Sequence, residues 1–137
     1  MRTFKDLEVW KKCRQLRLEI WDLVKTFPAE EKYRLNDQMI RSSRSPSTQI
    51  AEGYGRYHFQ ENVQFCQIAR GSLYEIIDHL SVCLDSQYIT PEKHDALENL
   101  TYECIQLLNG YINYLVKSKN SPSSGEVNDE SRYYEPG

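Results

Sequence analysis

Residues 65–83 read FCQIARGSLYEIIDHLSVC, and the spacing inside this stretch decides the class of fold. Cys66, Ala69, Leu73, Ile76, Leu80 and Cys83 follow one another at alternating steps of three and four. Only an α-helix brings positions so spaced onto one side. A heptad-like seam of this kind is shaped to lie against other helices.

The flanking sequence repeats the theme. Upstream, Val9, Cys13, Leu16, Ile20, Leu23, Val24 and Phe27 predict one apolar side of a helix from Asp6 to Phe27, which Pro28 ends. After a charged connection over residues 29–34, a second helix is expected from Leu35 to Tyr54, with Met39, Ser43, Pro46, Ile50 and Tyr54 on one side. Pro46 lies inside it. Proline lacks an N–H for the Ser42 carbonyl and crowds the preceding turn, so a kink is expected there. The hydroxyls of Ser42, Ser43 and Ser45 stand near the loosened carbonyls and reduce the cost. Gly53 and Gly55 read as the stop, through the left-handed conformation open to glycine. Downstream of the seam, residues 86–90 form a turn, Thr90 is an N-cap and Pro91 the first helical residue. Leu97, Leu100, Cys104, Leu107, Tyr111 and Tyr114 then mark a fourth helix. The expectation is an all-α chain: an antiparallel up-down four-helix bundle over residues 1–119 and a disordered acidic tail over residues 120–137.

The net charge of −3 is unevenly spread. Residues 1–58 hold 12 Lys/Arg against 8 Asp/Glu, residues 59–119 hold 4 against 8, and residues 120–137 hold 1 against 4. The basic half contains Lys11, Lys12, Arg14, Arg17, Arg41, Arg44 and Arg56, the candidates for contact with a nucleic-acid backbone. Arginine suits phosphate because its planar fork donates twice. No aromatic motif of a base-reading RNA module accompanies them, so any binding is by charge and shape.

Catalytic patterns are missing. His79 and His94 lack a Glu three residues before them, as a bundle-borne di-iron site needs, and no phosphate loop or nucleophile elbow occurs. Asp78–His79 and His94–Asp95 are sequence neighbours, expected to point apart on a polar helical face. The four cysteines lie on apolar stripes without a C-x-x-C pair and read as buried reduced thiols rather than a zinc site. The expectation is a protein without catalytic activity, cofactor or metal. No run reaches the roughly 18 apolar residues of a membrane span, and the N-terminal stretch lacks the apolar core of a signal peptide. A cytoplasmic location follows as the expectation.

The first helix has more apolar surface than one core face uses. Leu7, Trp10, Leu18 and Trp21 form a second stripe about 110° around from the first, and two tryptophans there point to burial against a second subunit.

"FKDLEVW", "SPSTQIAEGYGR" and "FCQIARGSLYEIIDHL" together resemble the four-helix-bundle proteins encoded in intervening sequences of bacterial 23S ribosomal RNA genes, also called an S23 ribosomal protein family. The resemblance runs from Phe4 to Leu115. Its motif residues fall on Ile50, Ala51, Glu52, Gly53 and Arg56, then on Ala69, Arg70, Gly71, Ser72, Leu73 and Glu75. The chain departs from the family at Arg44, where an aliphatic residue is usual, at Gln49, where asparagine is usual, and in its acidic tail. The resemblance implies a closed ring of identical subunits, a pentamer, with no catalysis. A related accessory protein of diversity-generating retroelements has a similar fold and binds RNA and a reverse transcriptase. Two functions follow as expectations: a homo-oligomeric RNA-binding protein, or a protein-interaction adaptor such as a reverse-transcriptase accessory factor.

Overall fold

The computed structural model describes residues 2–120, without the side chains of the last two. The expected acidic tail lies outside the described residues, apart from the backbone of Asn120, which closes the last helix. Four helices follow in order: α1 Glu8–Val24, α2 Leu35–Tyr54, α3 Phe59–Asp85 and α4 Pro91–Asn120. No strand occurs among the described residues.

α1 is shorter than its apolar spacing suggests. Thr3 and Asp6 form a capping box: the Thr3 hydroxyl accepts from the Lys5 N–H at 3.1 Å, and the Thr3 N–H donates to Asp6 Oδ2 at 2.8 Å. That box closes a separate 3-10 turn, Phe4–Asp6, and Leu7 then takes extended backbone angles (φ −68°, ψ 130°) before α1 begins. At the far end Phe27 lies past the helix but stays buried, 5.2 Å from the ring of Tyr88.

α2 occupies the expected span, and Pro46 sits within it without interrupting it. The hydroxyls of Ser42, Ser43 and Ser47 donate to the carbonyls of Met39, Ile40 and Arg44, at 3.3, 3.1 and 3.3 Å. The expected left-handed stop does not occur: Gly55 has φ −77° and ψ −5°, ordinary right-handed values. Gly53 is buried for a different reason. A Cβ there would stand 2.6 Å from Asn62 Oδ1 and 3.0 Å from Phe65 Cβ. The glycine lets α3 start against the end of α2.

α3 ends in a Schellman arrangement, with the Tyr88 N–H donating to the Cys83 carbonyl at 2.9 Å and the Gln87 N–H to that of Leu84 at 3.0 Å. The left-handed position is taken by Gln87 at φ 61°, which costs a residue with a Cβ about 1 kcal/mol or more. Gln87→Gly is therefore expected to raise stability by about 1 kcal/mol, read as an upward shift of the denaturant midpoint at unchanged slope. Thr90 caps α4 as expected, its hydroxyl accepting from the Lys93 N–H at 3.1 Å.

Every residue of the α3 seam is buried, and so are Leu16 and Ile20 of α1, Met39 and Ile50 of α2, and Leu97, Cys104 and Leu108 of α4. The principal helix contacts are α1 with α2, α2 with α3, α3 with α4, and α1 with α4.

Candidate nucleic-acid interface

α1 and α2 lie side by side, and their outer edges enclose a groove of about 180 Å³ lined by Arg17, Leu18 and Trp21 from α1 and Ile40, Ser43 and Arg44 from α2. Leu18 and Trp21 stand off the buried stripe of α1, and each keeps 41% of its surface exposed. Cations flank the indole of Trp21: the Arg44 guanidinium lies 5.5 Å from its ring and the Lys25 ammonium 5.0 Å. Such contacts at exposed sites are worth about 0.5–1 kcal/mol each. Arg17 leans across the groove and donates to Ser47 Oγ at 3.3 Å.

The seven basic candidates separate by how they are compensated. Arg14, Arg41 and Arg44 are exposed and meet no carboxylate among the described residues. Arg17 is held by a hydroxyl alone. Lys12, by contrast, pairs with Glu103 at 3.4 Å. Arg56 stands between Glu52 at 3.2 Å and Glu61 at 3.7 Å, with its guanidinium over Phe65. Lys11 is half-buried on α1. A phosphate approaching Lys12 or Arg56 competes with a carboxylate already there; one approaching Arg14, Arg41 or Arg44 does not.

The second stripe of α1 divides as well. Leu7 is fully buried inside the chain and offers no surface to a second subunit, contrary to expectation. Its extended backbone, set by the capping box, turns it into the core. Trp10 is half-buried, edge-on to Phe4 at 5.5 Å. Leu18 and Trp21 remain outward.

Most of the motif residues join helices. Ile50 is in the core, and half-buried Ala51 follows it. Glu52 pairs with Arg56 in the expected i,i+4 contact. Arg70 donates to Asn109 Oδ1 of α4 at 2.8 Å, and Ser72 Oγ donates to Ser45 Oγ of α2 at 2.8 Å. Glu75 pairs with His79 of its own helix at 3.2 Å. Gly71 is the exception: it is exposed, and a Cβ there would meet nothing within 4 Å.

His94 corrects another expectation. It does meet its neighbour Asp95, at 3.0 Å through Nδ1, and meets Glu98 at 3.3 Å through Nε2. The turn between α2 and α3 gathers an aromatic cluster that helical periodicity does not report. Tyr57 is 94% exposed there, and Tyr54, Tyr57, His58, Phe59, Tyr111 and Tyr114 line a cavity of about 300 Å³ that includes Arg56. The signal was present in the run "YGRYHF", six residues with three aromatic rings.

The four thiols are free and buried. Burial pushes Cys66 up to about 12, against a smaller downward pull from Arg70, and burial pushes Cys83 up to about 11. Cys13, hydrogen-bonded to Cys104 and buried, is held well above the ordinary value. Among the described residues no three His, Cys, Asp or Glu side chains gather as a metal site, and no helix is long and apolar enough to cross a membrane.

A crystal structure of a protein of unknown function from the S23 ribosomal protein family of Bacteroides thetaiotaomicron is similar to this chain. The two are 24% identical, with a TM-score of 0.71 over 77% of this chain and 95% of the other, a likeness of fold. No curated protein matches the chain. The family model described as 23S rRNA-intervening sequence protein matches residues 5–110, most of the helical part. The chain belongs to the 23S rRNA-intervening sequence protein family.

Proposed function

We propose that this protein is a non-catalytic, cytoplasmic homo-oligomer that holds structured RNA by charge and shape. The reading takes the four helices as an antiparallel up-down bundle, bent at Pro46. Pairs that run in opposite order along neighbouring helices support the topology: Arg17 with Ser47 and the Val24 carbonyl with Asn36; Met39 with Cys83 and Ser45 with Ser72; Asn62 with Tyr111 and Arg70 with Asn109.

One observation carries the RNA reading. Arg14, Arg17, Arg41 and Arg44 lie along one pair of helices with no carboxylate on them among the described residues, beside an exposed indole. Guanidinium groups with no carboxylate on them release counterions from a phosphate backbone without first breaking an ion pair. An exposed aromatic ring adds a stacking surface that is indifferent to sequence.

Retention of a structured RNA, such as a ribosomal RNA hairpin, tests this. With about four phosphate contacts, affinity should fall about a hundredfold between 50 and 200 mM salt. Changing Arg14 and Arg41 together to alanine should weaken binding about equally for unrelated sequences and reduce the log–log salt slope by about 2. Arg56→Ala should change little, because its charge is already met by Glu52 and Glu61. No retention by the wild-type protein at 50 mM salt ends the RNA reading in favour of the adaptor, such as a reverse-transcriptase accessory factor. The exposed outer face of α3 gives that second reading its support.

A further inference from the structure

The connection between α2 and α3 is built from residues that the fold alone does not ask for. α2 ends at Tyr54 and α3 begins at Phe59. His58 holds the N-cap of α3 and makes no capping bond with its side chain; Ser, Thr, Asp or Asn in its place satisfies an N–H of the first turn. Tyr57 is 94% exposed and Phe59 45%. A polar turn and a capped helix serve the bundle better, so these rings answer another demand.

The space around them says what the demand is. Tyr57, His58 and Phe59 border two hollows, of about 300 and 460 Å³, both within the range of about 300–1,000 Å³ usual for small-molecule sites. The Tyr57 ring stands at 88° to that of His58, 5.2 Å away. Two polar side chains lining the smaller hollow are already engaged. Asn62 Nδ2 donates to the Tyr111 hydroxyl, and Asn62 Oδ1 accepts from the Cys66 thiol. Arg56 lies between Glu52 and Glu61, with its guanidinium over Phe65. The two carboxylates disfavour a phosphate here, and the guanidinium disfavours a cation. The occupant that fits is flat, uncharged and held by ring faces, as a nucleobase is.

The hollow also lies at the end of the basic face. Tyr54, in its lining, meets Phe4 at 6.5 Å, and Phe4 meets Trp10 of α1 at 5.5 Å. Beside Trp10, the positions Lys11, Arg14, Leu18 and Trp21 follow at steps of three, four and three along one side of α1. From Trp10 to Trp21 the helix rises about 17 Å. A strand lying on that side delivers its next bases to the turn. We propose that the turn between α2 and α3 is a stacking seat for a nucleobase of an unpaired RNA strand, whose phosphates lie on the arginines of α1 and α2. The choice of RNA as the source of the base rests on the reading above. Bases inside a duplex are stacked on one another, so the seat favours single-stranded segments. Ring faces accept every base, so it does so without sequence preference.

Two RNA hairpins with the same number of phosphates test it. One carries a single-stranded extension of about six nucleotides, the other the same extension without its bases. The wild-type protein should hold the base-bearing form at least about fivefold more tightly. Tyr57→Ala should remove that preference, while the affinity for the abasic form and its salt slope stay unchanged, because the ring carries no charge. Tyr57→Phe should keep the preference. Changing Arg14 and Arg41 together to alanine should weaken both complexes and leave their ratio as it is. Equal affinities for the two hairpins overturn the proposal, and so does a preference that survives Tyr57→Ala; the RNA reading stands in both cases. If the wild type retains neither hairpin at 50 mM salt, the RNA reading has failed and adenosine, which carries no phosphate, decides the seat. Adenosine in the millimolar range should then move the NMR ring resonances of Tyr57 and Phe59, which keeps the nucleobase seat and makes a free nucleotide its source. Resonances that stay still overturn the proposal. Resonances that answer to N-acetyltyrosinamide and not to adenosine also overturn it, and assign the hollow to an aromatic side chain of a protein partner.

Discussion

Gly53→Val is expected to destabilise the fold by about 3 kcal/mol or more, through overpacking where α2 meets α3. The first added carbon already stands 2.6 Å from Asn62 Oδ1, 3.0 Å from Phe65 Cβ and 3.1 Å from the Asn62 carbonyl oxygen. The amide of Asn62 can swing aside, but the Asn62 carbonyl and Phe65 Cβ belong to the framework of α3. The helices must separate by several tenths of an ångström. Moving the amide has its own cost. Asn62 Nδ2 donates to the buried hydroxyl of Tyr111 at 3.3 Å, and Asn62 Oδ1 accepts from the Cys66 thiol at 3.6 Å. A buried polar group left without its partner costs about 1–3 kcal/mol. A fall in melting temperature of about 10 °C follows for a domain of this size. Gly53→Ala should show a smaller loss, because alanine recovers about 1 kcal/mol of helix propensity. The control is Gly71→Val, in open space, which should leave the melting temperature within about 2 °C. Equal effects at the two glycines would mean that the α2–α3 contact is looser than these distances.

These two glycines also mark how far the sequence could be read. The span of α2 and the whole buried seam of α3 were legible, because periodicity within one helix reports which side faces inward. Contacts between helices leave no such trace. Gly53 looked like a terminator because a glycine near a helix end usually is one; its actual role depends on Asn62, nine positions away on the next helix. Leu7 fell on the outer stripe by angle, yet the capping box of Thr3 and Asp6 ends the periodicity just before α1 begins. That box was readable as Thr-x-x-Asp and outranks an angular count. The basic candidates were legible as a set, but their sorting was not. The carboxylates on Arg56 include one from α3, and the partner of Lys12 lies on α4. Only assembly of the helices separates compensated from uncompensated charge.

Raising the pH from 9 to 10 is expected to cost about 3 kcal/mol of stability, a large share of the roughly 5–15 kcal/mol that holds a typical domain. The cause is three buried thiols. In the unfolded chain each ionises near its ordinary value of 9.0. In the folded chain burial holds Cys66 at about 12 and Cys83 at about 11, and hydrogen bonding to Cys104 with burial keeps Cys13 well above 9.0. Above pH 9 the unfolded state therefore binds fewer protons than the folded state, and stability falls as pH rises. The contribution is complete below pH 9, is lost for Cys83 by about pH 11, and for Cys66 continues falling to about pH 12. Each thiol supplies about 1 kcal/mol between pH 9 and 10, where the unfolded thiol is still partly protonated, and approaches about 1.4 kcal/mol per pH unit only well inside its window. Tyr111, pushed up chiefly by burial, adds to the same trend above pH 10. Melting curves at closely spaced pH values should show a plateau to pH 9 and a steep decline beyond. Cys83→Ala should be less stable at pH 8, from the space it leaves, yet decline less steeply by one thiol's share between pH 9 and 10. A melting temperature that stays level from pH 8.5 to 10.5, or a Cys83→Ala slope equal to wild type, would show that these thiols ionise as easily in the folded chain as in the unfolded one. They would then be reached by water through openings between the helices, and an alkylating reagent would label them in the native protein at pH 8.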